Sequence, residues 1–379
     1  MRRQKPKFED QSWLARPLWH MCAFIVVVSM VMLPCISVAE ELSSDASVTP
    51  QGDSAAMVST FYVTNRGRDA NTLGRVAFNG DRGEPRYGSC LVEFSPIPLV
   101  KDLGSIAPFY LPRETNRISI VEQSDQQTFW NELVVAADRT TSRSIILFVH
   151  GYNYGFKRTC RMAAELQRTL YGKATVVMLS WPSNALPTDY LPDQVDIEWS
   201  VPFLANFVSD LADRVGPKRV QVLAHSMGSR GVLFALQRLG ADSQERPVIN
   251  KLVLLAPDFD SETFVDLLPR LTPLVSNLTL YASSNDTALM ASRKLNGNPR
   301  LGEAGKFLTV VKGIETIDVS PVGRHQILGH EYFYYHPGVV ADLVKLLSSG
   351  ARAAERSTLR TQQRGGISYW EIVEGAPPQ

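Results

Sequence analysis

From about residue 140 onward the apolar positions fall in short, near-continuous runs at 145–149, 175–179, 220–223, 252–255, 278–281 and 314–317, rich in Val, Ile and Leu. A strand that is apolar at nearly every position has both faces covered, so these runs predict six strands of a parallel sheet. Between several of them, at 158–170, 199–214 and 228–239, apolar residues recur at helical spacing, and 339–347 does the same after the last. Strand and helix in alternation predict an α/β fold, with a mostly parallel central sheet and helices on both faces. Before residue 140 the rhythm is different. Thr60-Phe61-Tyr62-Val63-Thr64 and Cys90-Leu91-Val92-Glu93-Phe94 read as strands separated by Gly- and Pro-bearing stretches, an N-terminal strand meander.

The first forty residues stand outside this pattern. Arg2, Arg3, Lys5 and Lys7 precede an apolar run from Met21 to Leu33, and Ser37-Val38-Ala39 follows. A basic region, an apolar region and a small-x-small site come in the order of an export signal, so residues 1–39 are expected to be a signal peptide or a retained N-terminal anchor. Pro34 argues against lipidation at Cys35. Residues 40–57 read as a linker, 58–349 as the folded domain, and 350–379 as a flexible tail with little periodicity. The chain is thus expected to be exported, periplasmic or held at the inner membrane, with membrane association through the N-terminal segment. No internal repeat is present.

Composition changes this picture little. The chain has 379 residues, 44% hydrophobic and 20% charged, and a formal charge of +1, so no overall field favours nucleic acid. Cys22 and Cys35 lie in the leader, which leaves Cys90 and Cys160 either to form a disulfide in an oxidising compartment or to be two small buried residues.

The chemistry concentrates where one strand ends. The run 220–223 leads into Ala224-His225-Ser226-Met227-Gly228 and then a helical stretch, the strand–turn–helix setting of a nucleophile elbow. Such a turn lifts the serine above the sheet edge, and it needs small residues two before and two after; Ala224 and Gly228 meet this. The first strand of the alternating region ends in His150-Gly151-Tyr152-Asn153, whose loop can supply one oxyanion donor while the residue after the serine supplies the other. The expected donors are the amides of Tyr152 and Met227, with His150, Gly151 and Gly228 as the supporting motif.

A serine hydroxyl needs a general base, and the base needs a carboxylate to fix its tautomer. Downstream histidines are His325, His330 and His336, all beyond the last expected strand. His330, in Leu328-Gly329-His330, is the preferred base; His336 stands beside Pro337 at an expected helix start. Two strand ends offer the acid, Asp286 after 278–281, and Asp258 with Asp260 after 252–255. Asp286 is preferred and Asp258 is the alternative, while either could instead cap the next helix. His225 adjoins the serine but points away on a tight bend. His330-Glu331 begins like a zinc-binding H-E-x-x-H helix, yet Tyr334 holds the second histidine's place, and no metal or cofactor is expected. Residues 181–199, with Pro182, Pro187, Pro192, Tyr190, Leu191 and two tryptophans, read as a turn-rich segment overhanging the site or as an ordinary surface loop.

Together with Thr60-Phe61-Tyr62-Val63-Thr64-Asn65-Arg66, Leu179-Ser180-Trp181-Pro182-Ser183, Ala256-Pro257-Asp258, the stretch 281–292 and Gly329-His330-Glu331-Tyr332-Phe333, these motifs are collinear over 58–346. In this the chain resembles the α/β-hydrolase superfamily, and within it a bacterial lipase-like family of unassigned substrate. The resemblance implies the α/β-hydrolase fold and the triad Ser226, Asp286 and His330. The expected activity is that of a serine hydrolase acting on carboxylic esters of small-molecule or lipid-like acyl substrates; the alternative is a non-catalytic binding or scaffold protein of the cell envelope.

Overall fold

A computed structural model describes residues 56–70, 76–96, 114–242, 247–323 and 329–373. The leader, the linker up to residue 55, Cys22, Cys35 and His325 lie outside the described residues.

Three strands come first: β1 (Ala56–Arg68), β2 (Phe78–Pro96) and β3 (Glu114–Ser124). The parallel run follows as β4 (Ser144–Val149), β5 (Ala174–Ser180), β6 (Val220–His225), β7 (Ile249–Leu255), β8 (Val275–Ala282) and β9 (Glu315–Asp318), and β10 (Leu359–Arg364) and β11 (Ile367–Ile372) close the order. They form one sheet in the order β10-β11-β9-β8-β7-β6-β4-β5-β1-β2-β3. The six expected strands are its parallel centre, and every residue of β4, β5 and β6 is buried. β1 adds to β5 in parallel, with Phe61 opposite Val177, before the chain turns back into the antiparallel meander β1-β2-β3.

Alternate strand residues feed two cores. Ile145, Leu147 and Val149 face helices α1 (Gln126–Asp138), α4 (Val201–Val215), α5 (Gly228–Asp242) and α6 (Ser261–Leu271). Ile146 and Phe148 face α2 (Phe156–Thr169) and α9 (Pro337–Ser349). Burying one such aliphatic side chain contributes about 1.5–3 kcal/mol, which is what holds the helices to the sheet. The remaining helices, α3 (Tyr190–Trp199), α7 (Thr287–Asn296) and the single turn α8 (Tyr332–Tyr335), stand at the carboxyl edge of the parallel strands. Cys90 of β2 and Cys160 of α2 form a disulfide with a sequence separation of 70. Closing a loop of that length removes about 4 kcal/mol of unfolded-chain freedom in the chain-entropy picture.

Three segments differ from the sequence reading. Residues 350–379, expected to be a mobile tail, carry the β10–β11 hairpin, and β11 extends the sheet beside β9 with Trp370 opposite Ile317. Its turn is Gly365-Gly366, both at positive φ (58° and 78°), a hairpin signal that the surrounding Arg and Gln residues disguise. Residues 126–138, placed in the irregular N-terminal region, form α1, which Asp125 caps by accepting from the Thr128 amide. In the 181–199 segment, residues 190–199 are helical rather than turn-rich; Pro192 falls in the first turn, where its missing N–H costs nothing.

Candidate active site

The elbow is built at the junction of β6 and α5. Ser226 has φ +52°, a left-handed conformation that costs an L-residue about 1–2 kcal/mol. The turn is held from both sides: the Ser226 amide donates to Leu255 O at 3.0 Å, and the Ser226 carbonyl accepts from the amides of Ser229 (3.0 Å) and Asp258 (3.1 Å). Two glycines permit the close approach. A Cβ on Gly228 would lie 2.3 Å from the His150 carbonyl oxygen, and one on Gly151 would lie 2.8 Å from Ser226 Cβ. The loop after β4 therefore rests directly against the serine. Among the described residues, no acceptor takes the N–H of Tyr152 or of Met227, so both expected oxyanion donors are unspent.

His330 Nε2 lies 2.8 Å from Ser226 Oγ, and its Nδ1 lies 2.6 Å from Asp286 Oδ2. The other oxygen of Asp286 accepts the Leu289 amide at 3.0 Å, so this fully buried carboxylate caps α7 and holds the imidazole at once. Burial pulls the His330 imidazole down, but the Asp286 carboxylate and its hydrogen bond outweigh it, and the net shift is upward from the ordinary 6.5. Since Nδ1 faces a carboxylate it carries the proton, which leaves the Nε2 lone pair toward the serine. The structure thus brings Ser226, His330 and Asp286 into one hydrogen-bonded line.

A family model described as "Alpha/beta hydrolase of unknown function (DUF900)" matches residues 122–348, more than half of the chain. The chain belongs to this α/β-hydrolase family. It is also 26% identical over 220 residues to the protein named "Uncharacterized protein alr1448" of Nostoc sp. (strain PCC 7120 / SAG 25.82 / UTEX 2576), covering 50% of this chain and 54% of that one. The α/β-hydrolase chain therefore spans about half the length of the curated relative it matches. Among solved structures it is similar to the carboxylesterase EstE1 from a metagenomic library (14% identity, 56% of this chain and 80% of that chain, TM-score 0.30). A hyperthermophilic esterase of Pyrobaculum calidifontis (13%, 56% and 78%, 0.32) and the carboxylesterase CesB of Bacillus subtilis (11%, 88% and 100%, 0.32) are similar to the same degree. Likeness at this level carries nothing about substrate.

The other candidates of this α/β-hydrolase have different employment. Asp258, the alternative acid, accepts from Arg300 Nε (2.7 Å), Ser292 Oγ (2.5 Å) and Tyr190 OH (2.7 Å), and it makes no bond to His330. Asp260 caps α6 by accepting from the Thr263 amide. His336 caps α9 by accepting from the Val339 amide, which its place beside Pro337 had pointed to. His225 lies beneath the site, donating from Nε2 to the His330 carbonyl at 3.3 Å, its ring centroid 4.8 Å from that of His330. Burial, then the neighbouring His330 charge, holds its pKa well below the usual range.

Two partners escaped the sequence reading. Glu331 accepts from Tyr154 OH and Arg158, tying the His330 loop to the loop after β4, and Arg66 reaches the same loop from β1. Glu331 adjoins the base in sequence, which was the available signal for it. Arg66 had only its place in a quoted motif.

Proposed function

We propose that this α/β-hydrolase cleaves carboxylic esters through an acyl-enzyme on Ser226. His330 Nε2 takes the Ser226 proton as Oγ attacks the ester carbonyl, and the Tyr152 and Met227 amides donate to the oxyanion. His330, charged at that moment beside the Asp286 carboxylate, returns the proton to the leaving alcohol. Water then attacks the acyl-enzyme with the same base. The observation that carries the reading is the line of contacts from Ser226 Oγ through His330 to Asp286, at 2.8 and 2.6 Å.

A lipid-like acyl group is the favoured substrate side. Tyr152 OH donates to the carbonyl of Pro187, and exposed Leu186 and Leu191 lie on the same overhanging segment, which gives an acyl chain apolar surface beside the oxyanion loop. The Cys90–Cys160 disulfide supports work in an oxidising compartment after export.

A fluorophosphonate probe tests the mechanism. Wild type should be labelled on Ser226, and Ser226→Ala should lose both labelling and turnover of short nitrophenyl esters, the latter on the order of a millionfold. An unlabelled wild type would overturn the proposal in favour of a binding or scaffold protein.

A further inference from the structure

Arg66, at the end of β1, takes no part in the acyl transfer just described, yet it is 1% exposed and lies behind the site. A guanidinium has five N–H groups and accepts nothing. Here all five are engaged. Nε donates to Ser180 Oγ (2.8 Å), Nη1 to Ser183 O (2.7 Å) and Asn79 O (3.2 Å), and Nη2 to Tyr154 O (2.6 Å) and to His150 Nε2 (3.4 Å). Among the described residues no carboxylate lies within ion-pairing distance of it. The guanidinium is therefore held by uncharged groups, the end of β5 and the loop after it, the start of β2, and the loop after β4.

The contact with His150 decides where a proton sits. Because a guanidinium only donates, His150 Nε2 must present its lone pair, and the ring proton is on Nδ1. Nδ1 lies 2.8 Å from Gly151 O, which only accepts, so the two ends of the ring require the same tautomer. The ring is fully buried and stacks on Trp181 with centroids 4.9 Å apart. Burial first, then the Arg66 charge, holds its pKa well below the ordinary range, so the neutral form persists.

The Gly151 carbonyl is thereby fixed toward His150. In a trans peptide the next N–H points the opposite way, and that N–H belongs to Tyr152. Gly151 itself lies against Ser226 Cβ, which places this peptide beside the serine. We propose that Arg66 is a positioning residue for the oxyanion hole: by donating to His150 Nε2 it sets the His150 tautomer, which pins the Gly151 carbonyl and aims the Tyr152 amide at the oxyanion. The catalytic consequence rests on the ester-hydrolase reading above; the tautomer does not.

Two measurements test it. In protein with ¹⁵N-labelled histidine, His150 should show a protonated Nδ1 and an unprotonated Nε2 without titration across neutral pH. Signals for the opposite tautomer would overturn the proposal whether or not the protein is an esterase. In kinetics on a short nitrophenyl ester, losing one oxyanion donor lowers kcat by about 10²–10³-fold. Arg66→Lys and His150→Leu are expected to approach this loss with KM little changed. His150→Asn, whose amide nitrogen can replace Nδ1 as donor to Gly151 O, is expected to recover most of kcat, which a merely structural role for the ring would not give. Because Arg66→Lys strains the segments that hold the guanidinium, the comparison of His150→Leu with His150→Asn decides if it fails to fold. Equal kcat in those two folded variants sinks the idea. Absence of fluorophosphonate labelling in wild type would refute the hydrolase reading, and the ¹⁵N pattern would still judge the Arg66–His150 contact.

Discussion

Asp258 and Asp286 stand at the carboxyl ends of the neighbouring strands β7 and β8, both buried, and their surroundings give them opposite work. Asp258 is enclosed by donors from three places, Tyr190 of α3, Ser292 of α7 and Arg300 beyond it, and its charge is matched by a guanidinium itself only 3% exposed. Asp286 meets one backbone amide and one imidazole. A carboxylate saturated by a permanent cation is a fastener; one whose counter-charge comes and goes with a proton can serve a reaction. Position after a strand does not separate the two, because what differs is the partner across the gap.

The comparison breaks most sharply at Asp286. Asp286→Asn should lower kcat by about 10⁴-fold, the cost of misdirecting the base's tautomer, while its side-chain oxygen still caps α7 and the melting temperature changes little. A near-wild-type turnover number in this variant would remove Asp286 from the mechanism. Asp258→Asn should do the reverse. It leaves Arg300 buried without its ion-pair partner, which costs about 3–5 kcal/mol in denaturant unfolding, and the enzyme that remains folded keeps its turnover. The pH profile sharpens the contrast with a smaller effect. As the proposed base His330 acts only when neutral, and its pKa is raised, so kcat/KM should fall as pH drops through a value above 6.5. Removing the Asp286 charge lowers that pKa and moves the acid limb to lower pH. Removing Asp258, the weakest of the groups raising it, should move the limb in the same direction by far less. An acid limb that stays in place in Asp286→Asn contradicts the assignment.

Much of this was legible in the chain. The β6–α5 bend could be read because its steric demands fall on nearby residues, Ala224 and Gly228, and the parallel centre because its strands are nearly continuous in Val, Ile and Leu. That the acid lies at a strand end between Ser226 and His330 also follows from the parallel order, while the choice between Asp258 and Asp286 does not. What escaped depends on partners distant in sequence. Arg300 is 42 residues from Asp258, and nothing local marks it as the group that retires that carboxylate. Arg66 sits in a strand, where a charged residue ordinarily faces water; its enclosure depends on the loops after β4 and β5, whose Tyr154 and Ser183 carbonyls lie 88 and 117 residues downstream. The β10–β11 hairpin was hidden because its edge strand β10, Leu-Arg-Thr-Gln-Gln-Arg, is polar and the apolar β11 is short, and only Gly365-Gly366 marks the reversal.

That hairpin has a counterpart on the far side of the molecule. The parallel strands are flanked at one margin by β2 and β3 and at the other by β10 and β11, so the outermost backbone rows belong to ribbons that bristle with Arg117 and Glu122 on one side and Arg360 and Arg364 on the other. Charged side chains along an outermost strand deny a neighbouring sheet a flat, apolar template, so the two margins are the least inviting places for another strand to add.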